Sequence, residues 1–289
     1  MGIKNYLKLT RAEHSFMLAI AVIAGEIITG KFPNLFIFIL ALIPPILIGM
    51  ASFAINDYFD INVDKKNKKN DRPLVSGKIS PKSAFNLSLL MFVIGVALSA
   101  FINIYAFIIS LIFAILAFLY SYKLKEMFLI GNIYIAFAMA IPFIYGDYVV
   151  SNALNTNILL ISLIILLSGL AREIHGMIRD YKGDVTERHS KNLIFYIGTY
   201  KSGIVAANLY LYSIILSIFL FFFKFPFYLN LTYLIPIIII DITLFYVSIV
   251  YLRKNISDPT FIKTRNISLA AMTFAILIYL IAPLFPIIL

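Results

Sequence analysis

Acidic and basic residues crowd the stretch INDYFDINVDKKNKKNDRPLVSGKIS at 55–80, where Asp57, Asp60, Asp64 and Asp71 stand beside Lys65, Lys66, Lys68, Lys69 and Arg72. A second acidic group follows in REIHGMIRDYKGDVTERHSKN at 172–192, with Glu173, Asp180 and Asp184. On a helix turning about 100° per residue, Asn56, Asp57, Asp60 and Asp64 share a face about 100° wide. Glu173, Asp180 and Asp184 fall within about 40° of one another. Carboxylates roughly 5–6 Å apart repel by on the order of 3 kcal/mol per pair at an effective dielectric near 20. A hard divalent cation relieves that repulsion, and oxygen donors without Cys or clustered His suit Mg²⁺ better than zinc. Mg²⁺ usually takes one or two protein carboxylates and completes its shell with water and substrate phosphates. Two such acidic groups ringed by Arg and Lys read as a diphosphate site. Asp57, Asp60, Asp64, Asp180 and Asp184 are its expected metal ligands, with Asn56 on the same face.

The elements that carry these groups follow from composition. The chain has 289 residues, 62% hydrophobic and 13% charged, too greasy for a water-soluble fold. Apolar runs long enough to cross a bilayer lie near 15–33, 35–56, 84–102, 104–121, 129–150, 158–179, 203–223, 229–251 and 266–288. The long run at 84–120 is divided at Asn103. An all-α, multi-spanning membrane protein with about nine transmembrane helices is expected, as one membrane-embedded domain over 1–289. Nine spans put all 24 Lys and Arg on the N-terminal side of the membrane, except Lys31 and Lys224. That asymmetry makes the N-terminus and the long loops cytoplasmic, and the net charge of +10 then reports topology and no nucleic-acid partner. The start, MGIKNYLKLTRAEHSF, reads as a basic arm ahead of the first span instead of a cleavable leader. Without Cys, disulfides and thiolate chemistry are excluded. Each long acidic loop follows the second helix of a block of four, which suggests a weak internal repeat.

The motifs carry a family resemblance over most of the chain. NDYFDINVD, with Asn56, Asp57, Asp60 and Asp64, followed by NDRPLVSGKIS, resembles the first motif of the UbiA superfamily of intramembrane prenyltransferases. DYKGD, with Asp180 and Asp184, preceded by Arg172-Glu173, resembles its second Asp-rich motif, and LYSYKLK at 119–125 with Gly131-Asn132 resembles the segment between them. The resemblance implies a UbiA-like fold, Mg²⁺ held by the two motifs against an isoprenyl diphosphate, and substrate-binding roles for Arg11, Arg72, Lys78, Tyr120, Lys123, Lys125, Arg172 and Glu173. Within the superfamily the wording is most similar to members that transfer a geranylgeranyl group to the free hydroxyl of geranylgeranylglyceryl phosphate in archaeal ether-lipid synthesis. An aromatic, quinone-type acceptor is the alternative within the family. The chain departs from the pattern at Gly176-Met177, where relatives show Lys-Asp, and at Leu124, where a Lys is expected between Lys123 and Lys125.

Such chemistry would ionise an allylic diphosphate against the metal-bound aspartates and let a hydroxyl capture the cation in a dry, apolar site. A secondary transporter is the non-enzyme alternative, but its ionisable groups would sit near the midplane instead of at helix ends. A CDP-alcohol phosphotransferase would need a DGxxAR run that DINVDKK does not supply. Asp241 and Glu26, inside spans, read as carboxyls bonded to a neighbouring helix or as functional groups. His14, His175 and His189 read as isolated polar residues, and the Phe-rich run 219–225 as lipid-facing or packing surface.

Overall fold

Apolar stretches closed by capping residues fold here into helix after helix. The computed structural model describes residues 2–187, 193–253, 256 and 258–289, with backbone alone for 179–187 and Asp258. In chain order the helices are α1 (Ile3–Thr10), α2 (Ala12–Thr29), α3 (Leu35–Phe59), α4 (Ile61–Lys66), α5 (Pro81–Ala100) and α6 (Ile104–Tyr122). After a short 3₁₀ turn at Leu124–Glu126 come α7 (Ile130–Val150), α8 (Thr156–Glu187), α9 (Leu193–Phe221), α10 (Leu231–Tyr251) and α11 (Asp258–Leu284). Among the described residues, nine of these are long and apolar enough to cross a membrane, and no strand is present beyond one bridge between Asn230 and Ile288.

The helix starts are written in short polar side chains. Asn34, Ser80, Asn103 and Asn230 accept a hydrogen bond from the backbone N–H of Ile37, Ser83, Ala106 and Thr232 respectively. Each satisfies an N–H that the first helical turn leaves orphaned. The division at Asn103 is therefore a true helix boundary, and Asn103 Nδ2 also donates to the Tyr148 carbonyl at 2.8 Å. Pro44, Pro45, Pro142 and Pro236 sit inside helices, as membrane helices tolerate when neighbours re-satisfy the freed carbonyls.

Several boundaries differ from those read off the apolar runs. Helix α8 continues through the second acidic motif to Glu187, and α9 begins at Leu193, with a break at Gly198 (φ 77°). The expected loop at 180–202 is thus largely helical. Charged residues ended the apolar run without ending the helix, because Arg, Lys and Glu are good helix formers. Helix α11 likewise starts at Asp258 and not at 266, with Pro259 in the first turn, where its missing N–H costs the helix nothing. At the N-terminus, Arg11 takes a left-handed conformation (φ 44°) that breaks α1 from α2.

The helices pack through small residues, as expected where lipid supplies no hydrophobic drive between them. One close crossing joins α2 to α7. A Cβ built on Gly25 would lie 2.3 Å from the Phe143 carbonyl oxygen, and one on Gly146 would lie 2.1 Å from that of Val22. Outward faces carry exposed Phe36, Phe101, Ile115, Phe219, Phe222 and Phe274, so the Phe-rich run is largely a lipid-facing surface. Asp241, buried in α10, accepts from Ser217 Oγ of α9 at 2.5 Å, a polar tie between helices. His175 is buried against the Tyr251 ring at 3.5 Å between centroids, a packed histidine. His189 lies outside the described residues.

Substituting Leu at Gly146 should wedge α2 from α7 and lower thermal stability in detergent by about 1–3 kcal/mol, the range for overpacking. Ala at Gly176, where no atom lies within 4 Å of the new Cβ, should leave stability unchanged or slightly raised. Thermal unfolding of the two purified variants checks the contrast.

Candidate active site

The first acidic motif is held at a helix junction. Helix α3 ends at Phe59, Asp60 adopts φ −88° and ψ 1°, and α4 resumes at Ile61. The Asp60 N–H donates to the Asn56 carbonyl at 3.0 Å and the Asp64 N–H to the Asp60 carbonyl at 2.8 Å. The helical phase therefore survives the junction, and the three carboxylates stay on one face as the spacing predicts. They are 3%, 8% and 1% exposed at Asp57, Asp60 and Asp64. Carboxylates this buried need counter-charge or protonation.

Counter-charge comes from three separate parts of the chain. Arg11, at the break between α1 and α2, places Nη2 3.1 Å from Asp57 Oδ1 while its guanidinium lies 4.8 Å from the Phe53 ring centroid. Arg72 places Nη1 2.9 Å from Asp57 Oδ1 and in contact with Asp64 Oδ2, so it bridges two carboxylates. Lys69 stands 3.2 Å from Asp64 Oδ1. Lys125, in the turn after α6, reaches Asp60 Oδ1 at 2.7 Å.

Local folding aims these cations. Leu74 and Ile79, just beyond Arg72, plug into a small core with Leu9, Ala54 and Ala84, which pins the 67–80 segment over α3. Gly77 turns the chain there with φ 69°, a conformation a side chain would strain. Gly131 does comparable service at the start of α7. A Cβ there would lie 2.8 Å from the Lys125 Cα, so only glycine lets α7 begin against the turn that carries Lys125.

Beside the cluster opens a cavity of about 460 Å³, within the usual range for small-molecule sites. Arg11, Asn56, Tyr120, Arg172 and Glu173 line it near the carboxylates, and Ile48, Phe113, Ala117, Ala138 and Pro142 line its walls. Tyr120 stacks on Tyr134 with centroids 4.9 Å apart. Arg172 Nε is buried and makes no hydrogen bond among the described residues.

The structure thus brings together Asn56, Asp57, Asp60, Asp64, Arg11, Arg72, Tyr120, Lys125, Arg172 and Glu173. Lys78 and Lys123 are exposed and pair with no carboxylate among the described residues, so of the two lysines after α6 it is Lys125 that turns inward. The side chains of Asp180 and Asp184 lie outside the described residues, although the α8 backbone that carries them continues from the cavity-lining Arg172 and Glu173. Lys69, Phe53 and Tyr134 belong to the site and were not singled out from sequence. Phe53 had a usable signal, four residues ahead of Asp57 on the same helix face.

Among the described residues no three His, Asp or Glu are grouped so as to hold an ion unaided. The donor set still fits a hard divalent cation. It is all oxygen, each carboxylate is already bonded to a cation, and the buried Asp64 Oδ1 accepts no properly formed hydrogen bond despite the Lys69 ammonium nearby. One or two carboxylates are what Mg²⁺ ordinarily takes from a protein.

Comparison with known proteins decides the family. Residues 15–270 match the UbiA prenyltransferase family. The chain belongs to that family. It is 33% identical over 280 residues to the digeranylgeranylglyceryl phosphate synthase of Archaeoglobus fulgidus, covering 95% of each chain. It is 35% identical over 262 residues to the synthase of the same name from Sulfurisphaera tokodaii, covering 90% of this chain and 91% of that one. A solved structure described as giving structural and mechanistic insights into digeranylgeranylglyceryl phosphate synthase in membranes superposes with a TM-score of 0.81 at 30% identity, over 97% of this chain and 98% of the other. A UbiA homolog from Archaeoglobus fulgidus, bound to GPP and Mg²⁺, shares the fold with a TM-score of 0.67 at 20% identity, over 95% of this chain and 99% of that chain. The protein is accordingly a multi-pass membrane prenyltransferase by family.

Within this UbiA site Arg72 is the joint of the charge network. Arg72→Ala should leave Asp57 and Asp64 short of counter-charge and cost about 3 kcal/mol, as when one partner of a buried pair is removed. Arg72→Lys, which keeps the charge on a shorter stem without the guanidinium's fixed donor geometry, should fall between. Thermal unfolding in detergent without divalent cations checks the order.

Proposed function

We propose that the protein transfers a geranylgeranyl group from its diphosphate to the free hydroxyl of geranylgeranylglyceryl phosphate, as an enzyme of archaeal ether-lipid synthesis in the cell membrane. The observation that carries this reading is the opening of an apolar cavity directly beside a buried cluster of Asp57, Asp60 and Asp64 with Arg11, Arg72 and Lys125. A long apolar chain joined to a diphosphate has the same profile. The relatives named for this synthesis support the choice of donor and acceptor.

Mg²⁺ held by Asp57, Asp60 and Asp64, and by Asp180 and Asp184 from α8, would supply Lewis-acid stabilisation of the departing diphosphate. Arg11, Arg72 and Lys125 stand at the same end to neutralise its oxygens as negative charge gathers there. The bond from the allylic carbon to the diphosphate oxygen breaks, and the acceptor hydroxyl oxygen forms the ether bond. Ile48, Phe113, Ala117 and Ala138 exclude water from the electron-poor carbon. Tyr120 and Tyr134, stacked on each other, both line the same space, and aromatic rings there favour developing positive charge. Glu173 is the carboxylate on the cavity wall and is placed to take the hydroxyl proton. The buried Nε of Arg172 offers a charged donor to the acceptor's own phosphate. The basic face, with the N-terminus, lies in the cytoplasm on this reading.

Purified protein given geranylgeranyl diphosphate with either geranylgeranylglyceryl phosphate or 4-hydroxybenzoate, with and without Mg²⁺, should yield only the diether phosphate, and only with the metal. Asp60→Ala and Asp64→Ala should each lower turnover by at least about a hundredfold, or ~2.7 kcal/mol in the barrier, while remaining folded. Mass analysis of the products reads the result. A prenylated benzoate would overturn the acceptor, and near-normal turnover in both variants would overturn the metal role.

A further inference from the structure

The basic arm ahead of the first span folds as α1, and its two sides differ. With Ile3 at zero and about 100° per residue, Leu9 falls near 240°, Tyr6 near 300° and Thr10 near 340°. That side faces the protein. Leu9 and Thr10 are buried, and Leu9 and Tyr6 pack with Ala54, Leu74, Ile79 and Ala84. Ile3, with Leu7 near 40°, Lys4 near 100° and Lys8 near 140°, makes the other side. There Ile3 and Leu7 are 78% and 47% exposed, and Lys4 and Lys8 are exposed as well. The outer side is therefore apolar along one edge and basic along the next.

The bilayer begins next to it. Only the break at Arg11 separates α1 from α2, which is apolar enough to cross the membrane from Ala12 and already exposes Phe16 in its second turn. Moving Ile3 or Leu7 from water into hydrocarbon is favoured by at least about tenfold each. A helix lying in the interface plane sinks such an edge among the acyl chains, while lysines on long stems stay level with the headgroups. Lys8 stands 3.3 Å from Asp71, but both side chains are more than half exposed. A pair that exposed is weak, so a lipid phosphate competes for the ammonium. Anionic headgroups attract each Lys by about fivefold, and zwitterionic ones present no net charge to it.

We infer that the outer side of α1 is a docking surface for anionic lipid, with Ile3 and Leu7 among the acyl chains and Lys4 and Lys8 on headgroup phosphates. The anchor is tied to the acidic cluster. Helix α1 ends at Arg11, whose guanidinium holds Asp57, and Leu9 packs on the segment that follows Arg72. A helix of two turns thus has the bilayer on one side and the supports of the cluster's cations on the other. The docking surface is independent of what the protein transfers and of the acceptor that receives it.

The chain has no Trp, so Leu7→Trp carries a single indole whose surroundings fluorescence reports, with Ile3→Trp as the second variant if the first does not fold. The full chain is reconstituted in vesicles of phosphatidylglycerol or of phosphatidylcholine, with plain or brominated acyl chains. In phosphatidylglycerol, bromination should quench the emission at least about twofold, as for an apolar face sunk below the headgroups. In phosphatidylcholine the ratio of docked to free α1 should fall by about fivefold for each lysine, read as less quenching by bromine and more by acrylamide from the water. Adding Lys4→Gln and Lys8→Gln should erase the difference between the two lipids. Emission untouched by bromine in phosphatidylglycerol would overturn the proposal: open to acrylamide, the face looks into water, and closed to it, the face is covered by protein. Equal quenching in the two lipids, or a difference that outlasts the loss of both lysines, would refute the anionic partner.

Discussion

The site depends on keeping three carboxylates buried side by side in a protein whose surroundings are mostly hydrocarbon. Asp57, Asp60 and Asp64 are each less than a tenth exposed, and their mutual repulsion is strong at close range in a medium less polar than water. The chain meets that demand by importing cations from segments far apart in sequence. Arg11 precedes the first span, Lys69 and Arg72 follow the second, and Lys125 follows the fourth. Convergence of these segments is thus a condition for the acidic face to exist, and the fold on this side of the membrane is organised around it. The same cations that balance the aspartates are the natural partners of a diphosphate.

The cavity beside the cluster joins that electrostatic requirement to the lipid one. Small residues such as Ala54, Ala114 and Ala117 let the helices approach, and the space left between α3, α6 and α7 is lined mainly by apolar side chains. One molecule with a charged head and a long apolar tail satisfies both parts. Water is kept out by the same walls that hold the tail, so substrate binding and protection of a reactive carbon come from one arrangement.

Much of this was legible in the sequence, and the failures have physical causes. The nine apolar runs, the boundary at Asn103 and the segregation of Lys and Arg were readable because membrane solvation imposes length and charge rules that need no knowledge of packing. The common face of Asn56, Asp57, Asp60 and Asp64 followed from helical phase, and it survived the junction at Asp60 because the backbone bonds continue across it. What periodicity does not encode is the direction of a turn. Lys123 and Lys125 looked equivalent, and the contact between Gly131 and the turn decides for Lys125. Lys69 is one of four lysines within five positions, and nothing in their order says which of them turns to a carboxylate. Helix α8 outlasted its apolar run because propensity, not hydrophobicity, carries a helix past the membrane edge.

Affinity for a non-reactive geranylgeranyl thiodiphosphate, measured on the purified protein with and without Mg²⁺, tests most directly whether the acidic cluster and its cations form one diphosphate site. If they do, the metal should tighten binding by more than about tenfold, ~1.4 kcal/mol, and Asp57→Asn should remove most of that gain. Equal affinity with and without the metal, or a gain that survives Asp57→Asn intact, would contradict it.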